Sequence, residues 1–466
     1  MRDHILFLTG KLAEKSLHRV LDSMQPTEFT YEVRQVGISV AGLMTADLIG
    51  KRVTDLGPAT RVLVPGRCRG DLGALSVRYG VPVQRGPDEL KDIPLHFGRE
   101  GRTTDLTRYD VLIFAEIVDA TELDVERILA RAQRYRDDGA DVIDLGCLPN
   151  TPFPHLEEAV QALKIAGYRV SVDSLDPTEL RRGGGAGADY LLSLREDTLW
   201  VAEEVSSTPV LIPAQPGDLS SLGRAIARMQ AREREFLADP ILDPIHFGFT
   251  QSILRYAEVR QHFPNAEIMM GIGNLTELTE ADTTGINAVL MGMVSELRIS
   301  AVLATEVSPH ARTAVREADL ARRIMFSARE ESSLPKGYDP GLTTTHERKP
   351  FIDSADEIAA LARSIKDPSY RIQVSESGVH LYNRDGLFTA IDPFDLYPHI
   401  SVGGDEGHAF YLGVELARAQ IAWQLGKRYS QDEELRWGVA VKRPVENLES
   451  FKAPSAILSH RLRIRS

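Results

Sequence analysis

The sequence predicts an α/β fold built around a central (β/α)8 parallel barrel, with a small doubly wound α/β domain before it and an α+β domain after it. Three observations carry this reading. Strand-like and helix-like segments alternate along the whole chain, as parallel sheets with helical crossovers require. Between residues 109 and 330 the alternation has the cadence of eight units, which suits one closed barrel better than an open sheet. Three apolar runs in that stretch end on a carboxylate, at Asp144, Asp173 and Asp243, and strand ends of a barrel all open onto one face.

The first domain, residues 1–108, begins with Ile5-Leu-Phe-Leu-Thr9-Gly10-Lys11, an apolar run that breaks into a glycine turn before a helical stretch from Ala13 to Met24. Arg61-Val-Leu-Val-Pro65-Gly66-Arg67-Cys-Arg69-Gly70 repeats the plan. Such turns expose backbone N–H groups that can hold an anion, with Lys11, Arg67 and Arg69 adding charge. Neither turn completes a dinucleotide or Walker pattern, so an ordinary turn with solvated basic residues is the competing reading.

In the second domain, residues 109–330, the expected strands are Val111 to Ile117, Val142 to Cys147, Val170 to Ser174, Tyr190 to Leu194, Val210 to Ala214, Ile241 to Pro244, Ile268 to Gly271 and Val302 to Thr305. Glu122 to Asp137 and Leu222 to Phe236 read as amphipathic helices between them. The third domain, residues 335–466, follows the loop-like Ser332-Ser-Leu-Pro-Lys336-Gly337-Tyr338. It shows a hairpin around Ser377-Gly378 and a helix from Val414 to Leu425. Asp405, Glu406 and His408 precede that helix, where a metal site and a helix cap compete as readings and the cap is favoured.

Composition narrows the function. A net charge of −13 argues against a protein that neutralises nucleic-acid backbones. No run approaches the roughly 20 apolar residues of a membrane span, and the first residues lack the length of a signal peptide, so the expected location is the cytoplasm. Two cysteines, Cys68 and Cys147, offer neither a disulfide framework nor metal-ligand spacing.

The strand ends present, in order, Glu116, Asp144, Asp173, Ser193, Gln215, Asp243, Asn274 and Glu306 with His310. One Asp after a strand is usually a turn former or cap. Several converging carboxylates need partners, and a ligand with adjacent N–H donors, such as an amino-pyrimidinone ring, supplies them.

The strings Gly139-Ala-Asp-Val-Ile-Asp144-Leu-Gly146, Val170-Ser-Val-Asp173-Ser174 and Leu242-Asp243-Pro-Ile-His-Phe-Gly248-Phe249 resemble, in order and spacing, segments of dihydropteroate synthase and related pterin-binding TIM barrels. The resemblance implies that Asp173 and Asp243 hold a pterin ring and act in catalysis. Asp144, Gly146, Thr151, Ser193, Gln215 and Asn274 would bind substrate. His310 and Arg312 would bind phosphate, and Glu116 with Asp119 would hold Mg²⁺ beside the leaving diphosphate; no tightly bound organic cofactor is implied. Where the family has Ser-Thr-Arg-Pro, this chain reads Cys147-Leu-Pro-Asn150-Thr151-Pro152-Phe-Pro154, and Gly271-Ile-Gly273-Asn274 replaces a Ser-Arg-Lys motif.

Those departures also resemble a narrower group of dihydropteroate-synthase-like proteins associated with tetrahydromethanopterin synthesis. There the implied acceptor is 4-(β-D-ribofuranosyl)aminobenzene 5′-phosphate. A pterin-dependent methyltransferase using Asn274, and a barrel that only binds pterin, are the alternatives. Pterin pyrophosphate and an arylamine are the expected partners, nucleic acid and membrane are not, and a homodimer is what the resemblance implies.

Overall fold

The computed structural model describes residues 3–88, 90–99 and 105–442. These divide into two compact units, one formed by residues 3–99 with His346–Arg436, the other by residues 105–345 with Trp437–Lys442.

In the first unit, β1 (His4–Thr9), β2 (Thr30–Gln35), β3 (Arg61–Val64) and β4 (Val83–Arg85) form a parallel sheet in the order β2-β1-β3-β4. Side chains alternate across a strand, so β1 feeds two cores at once. Leu6 and Leu8 pack with Met44, Ile49, Leu72 and Leu75 on one face. Ile5 and Phe7 pack with Leu17, Leu21 and Ile93 on the other. Helices therefore cover both faces, which is the doubly wound arrangement.

The turn after β1 uses its donors internally. The N–H groups of Lys11 and Leu12 donate to the carbonyls of Ile38 and Ser39 at 2.8 and 3.1 Å. A Cβ on Gly10 would lie 2.7 Å from the Ala41 nitrogen, so the glycine admits a crossing backbone rather than an anion. Arg67, in the second glycine turn, is ion-paired with Glu433 at 2.6 Å. The anion-site reading of the β1 turn is thereby corrected, since its N–H groups are already spent.

The same unit contains an antiparallel meander of β13 (Arg371–Ser375), β14 (Gly378–Asn383) and β15 (Gly386–Ala390). Ile372, Val379 and Leu381 pack against Leu412, Leu416 and Ala419 of the helix Glu406–Leu425. Asp405 caps that helix, its carboxylate accepting the His408 N–H at 2.9 Å. The Asp405, Glu406, His408 cluster is thus a helix start, and the helix begins a full two turns before Val414.

The second unit is a closed barrel of eight parallel strands: β5 (Leu112–Ile117), β6 (Val142–Gly146), β7 (Arg169–Asp173), β8 (Tyr190–Leu194), β9 (Thr208–Leu211), β10 (Leu237–Ala238), β11 (Glu267–Gly271) and β12 (Ala301–Thr305). Closure runs through β12 and β5, from Ala301 opposite Leu112 to Thr305 opposite Glu116. Phe114, Val142, Leu192, Val210, Leu237, Met269 and Ala301 form the packed interior. Neighbouring positions such as Ile113, Ile143, Val170 and Leu191 face the outer helices. Interior and exterior residues alternate along each strand, and that fixes which residues reach the mouth.

Two strands differ from the sequence expectation: β9 ends at Leu211 rather than Ala214, and one strand lies elsewhere altogether. The sixth barrel strand is Leu237–Ala238, not Ile241 to Pro244. Pro240 and Pro244 have no N–H for a ladder, and Ile241 adopts φ +67°, outside the extended region. Asp243 therefore sits in a loop beyond the strand. No helix among the described residues is long and apolar enough to cross a membrane.

Candidate active site at the barrel mouth

The first three strands deliver three carboxylates to one point. Register places Glu116 beside Asp144 and Gly146 beside Asp173. One oxygen from each of Glu116, Asp144 and Asp173 lies within 4.8 Å of the others. Gly146 makes room, because a Cβ there would stand 2.7 Å from Glu116 Oε1.

Asp144 is wholly buried. Its Oδ1 accepts from the Ser171 hydroxyl, while Oδ2 has no hydrogen-bond partner among the described residues. Asp173 accepts from the Ser193 hydroxyl at 2.6 Å. No lysine or arginine among the described residues forms an ion pair with any of the three. Burial is the largest influence on the proton affinity of each acid. It pushes Glu116 up to about 8, helped by the charges of Asp173 and Glu277. Burial, then Asp173 and Glu116, raises Asp144 well above the usual carboxylate range. Asp173 is raised by burial and opposed by Ser193. One wholly buried and two half-buried acids without a counter-ion either hold protons or await a ligand rich in N–H donors or positive charge.

Asp243 has the opposite environment. The Arg255 guanidinium, from the helix Phe249–His262, donates from Nη2 to Asp243 Oδ2 at 2.6 Å and to the Ile241 carbonyl at 2.8 Å. The Asp243 N–H donates to Ser252 Oγ at 3.2 Å, and Asn274 Nδ2 donates to the Leu242 carbonyl at 2.8 Å. The loop is thus clamped from a helix on one side and from the short helix Gly273–Thr276 after β11 on the other. Asn274 spends its amide nitrogen on that clamp.

Asp239, directly after β10, accepts from Tyr256 Oη at 2.6 Å and from the Ile241 N–H at 2.8 Å. Burial pushes it up to about 6 against those two bonds. A raised acid pKa means that the folded chain keeps a proton the unfolded chain releases near pH 4. This contribution to stability is full below about pH 4 and is lost as pH rises to about 6, a change of about 3 kcal/mol. Asp239→Asn keeps the carbonyl acceptor and removes the titration. Urea unfolding from pH 4 to 7 is expected to show a shallower loss of stability in the variant than in the parent.

The other expected site residues are less integrated. Asp119 is corrected as a metal ligand, because its carboxylate lies 3.3 Å from Arg131 Nη1 rather than with Glu116. Gln215 is exposed four residues beyond β9, and Thr151 is exposed with its hydroxyl donating to the Pro149 carbonyl at 3.4 Å. His310 Nε2 donates to the Thr276 carbonyl at 3.0 Å, and Arg312 is exposed. Glu306 is paired with Arg134 at 3.0 Å and accepts the Val315 N–H, and burial pushes it up to about 7. Cys147 is half-buried, with its thiol raised by burial.

Four residues enter that sequence reasoning did not select. Asp239 and Arg255 are described above. Glu277 accepts the Val307 and Ser308 N–H groups at 2.8 Å each and adds negative charge near Glu116. Arg195 stands directly after β8, and its buried Nε has no hydrogen-bond partner among the described residues. The doubled Asp239-Pro240 and Asp243-Pro244 was the available signal for Asp239. Arg195 had one too, lying two residues past Ser193.

Comparison with known proteins gives three findings. A family of unknown function, DUF6513, matches residues 3–88. The uncharacterized protein MJ0107 of Methanocaldococcus jannaschii is 25% identical over 528 aligned positions, covering 92% of this chain and 98% of that protein. Solved structures that resemble part of the chain are dihydropteroate synthases. One from Yersinia pestis is 19% identical over 49% of this chain and 95% of its own, with a TM-score of 0.38. One from Vibrio fischeri is 14% identical over 50% and 96%, also at 0.38. One from Coxiella burnetii, in complex with pteroic acid, is 18% identical over 48% and 94%, again at 0.38.

Proposed function

We propose that this chain is a transferase that joins a 7,8-dihydropterin-6-ylmethyl group, delivered as its diphosphate, to an arylamine. The observation that carries the reading is the group of carboxylates at the barrel mouth, one buried and two half-buried, that no ion pair compensates among the described residues. Two of them, Asp144 and Asp173, stand on strand ends whose sequences resemble pterin-binding segments, and Glu116 joins them from the strand before. An amino-pyrimidinone ring offers adjacent N–H donors that a carboxylate accepts as a pair.

In this reading Asp173 and Asp243 accept from the ring. Ser193 orients Asp173, and Arg255 orients Asp243. The carbon–oxygen bond from the pterin methylene to diphosphate breaks, the amine lone pair forms the new carbon–nitrogen bond, and the amine nitrogen releases one proton. Positive charge develops on the methylene as the bond breaks, and negative charge fixed beforehand in a poorly solvated pocket stabilises it. Arg195 and Arg312 are the cationic side chains proposed to meet the leaving diphosphate, with His310 beside them. A divalent cation, when bound, supplies further positive charge to the same group.

The acceptor is proposed to be 4-(β-D-ribofuranosyl)aminobenzene 5′-phosphate, in tetrahydromethanopterin synthesis, because the loop Cys147 to Pro154 lacks an arginine to read an aminobenzoate carboxylate. The ring-binding half of the proposal is tested by calorimetry with 6-hydroxymethyl-7,8-dihydropterin. One ring bound per chain is expected, weakened about tenfold or more in Asp173→Asn. Absence of binding in the parent protein would remove the reading.

A further inference from the structure

We infer that Glu116, Asp144 and Asp173 form a binding site for one divalent, oxygen-preferring cation, resident on the protein before any substrate arrives. The juxtaposition comes first. Three carboxylates from three successive strands bring one oxygen each within 4.8 Å of one another. Two ligands of one calcium-sized ion stand at most about 5.2 Å apart, twice a bond of up to 2.6 Å, so three oxygens within 4.8 Å of one another can share one ion.

The second observation is an orphaned atom. Asp144 is 0% exposed, and its Oδ2 has no hydrogen-bond partner among the described residues. A carboxylate oxygen that is buried and unpaired is costly, and native proteins supply it with a donor or a metal. Within the cluster no side chain does so. Among the described residues, the hydroxyl donors are Ser171 to Asp144 Oδ1 and Ser193 to Asp173 Oδ1, which leave the remaining oxygens for a ligand. No basic side chain among the described residues neutralises the cluster by an ion pair. The donor set is all oxygen, the preference of Mg²⁺, Mn²⁺ and Ca²⁺ rather than of Zn²⁺. Cys147 is nearby in sequence but its thiol is not part of the set.

The cation site stands independently of the transferase reading. Asp173 serves both, because a carboxylate offers about four lone-pair sites and Ser193 takes one. Asp119 plays no part.

The test uses the full-length protein stripped with EDTA and titrated with MnCl2, with free Mn²⁺ read by electron paramagnetic resonance and thermal unfolding followed in parallel. One Mn²⁺ per chain is expected, displaced by Mg²⁺ or Ca²⁺, together with a rise in unfolding temperature. Asp144→Asn and Glu116→Gln are each expected to weaken binding by at least about tenfold and to remove the thermal response. Both replacements are isosteric and relieve like-charge repulsion, so folded variants are expected, and their unfolding curves check this. No binding at millimolar Mn²⁺, or binding that neither replacement weakens, would overturn the site. Dihydropterin binding measured on the same EDTA-treated protein separates failure of the cation site from failure of the transferase reading.

Discussion

Asp173→Asn is expected to reduce transfer by about 10²-fold or more while leaving the EDTA-treated protein as stable as the EDTA-treated parent, or more so. Asparagine keeps a carbonyl for the Ser193 hydroxyl, which now donates to Asp173 at 2.6 Å. It removes one of three mutually close acids that no ion pair neutralises, so repulsion and desolvation both fall. Function is lost because an amide cannot offer two acceptors to paired ring donors. Asp243→Asn is expected to lose transfer to a similar degree but to lose stability as well. Its Oδ2 receives Arg255 at 2.6 Å, and both side chains are largely buried, so the variant leaves a guanidinium short of its counter-ion at a cost of about 1–3 kcal/mol. Urea unfolding and steady-state kinetics on both variants check the contrast. Equal destabilisation of the two would contradict the environments assigned to them.

The second large effect lies away from the mouth. Arg322, in the helix Ala314–Glu330, has a side chain only 1% exposed. It bonds to Asp141, to Asp319 at 2.6 Å, and to the carbonyls of Val111 and Gly139 at 2.5 and 2.8 Å. Its guanidinium carbon lies 3.6 Å from the centre of the Tyr109 ring. One planar cation thus ties the last barrel helix to the starts of β5 and β6, which closes the ring of elements. Arg322→Met is expected to cost about 3–5 kcal/mol, because Asp141 and Asp319 would each lose a buried partner. Arg322→Lys is expected to recover little, since an ammonium cannot span a fork of acceptors. Chemical denaturation measures both. A loss below about 1 kcal/mol in Arg322→Met would show that the network is dispensable.

Much of this was legible in the sequence for physical reasons. Buried parallel strands are continuous apolar runs, so β5 to β8, β11 and β12 stand out with nearly their true bounds. Carboxylates at their ends break those runs, which exposed Glu116, Asp144 and Asp173. The sixth strand did not stand out, because two residues give no periodicity and the apolar Ile241-Leu242 beside it mimics a strand. Mutual distance was also hidden. Only register shows that Glu116 adjoins Asp144 and that Asp119 turns to Arg131. Arg255 comes from a helix face where an arginine is ordinarily solvated, so nothing local marked it as the partner of Asp243. Packing of residues 3–99 with His346–Arg436 in one unit is likewise a long-range property that no local pattern reports.

Diphosphate release tests the central proposal most directly. The full-length protein would be given 7,8-dihydropterin-6-ylmethyl diphosphate and Mg²⁺, with 4-(β-D-ribofuranosyl)aminobenzene 5′-phosphate or 4-aminobenzoate as acceptor. Release that depends on the ribofuranosyl acceptor, and that Asp173→Asn abolishes, is the predicted result. No release with either acceptor, from protein that is folded and binds the dihydropterin, would contradict the transferase assignment.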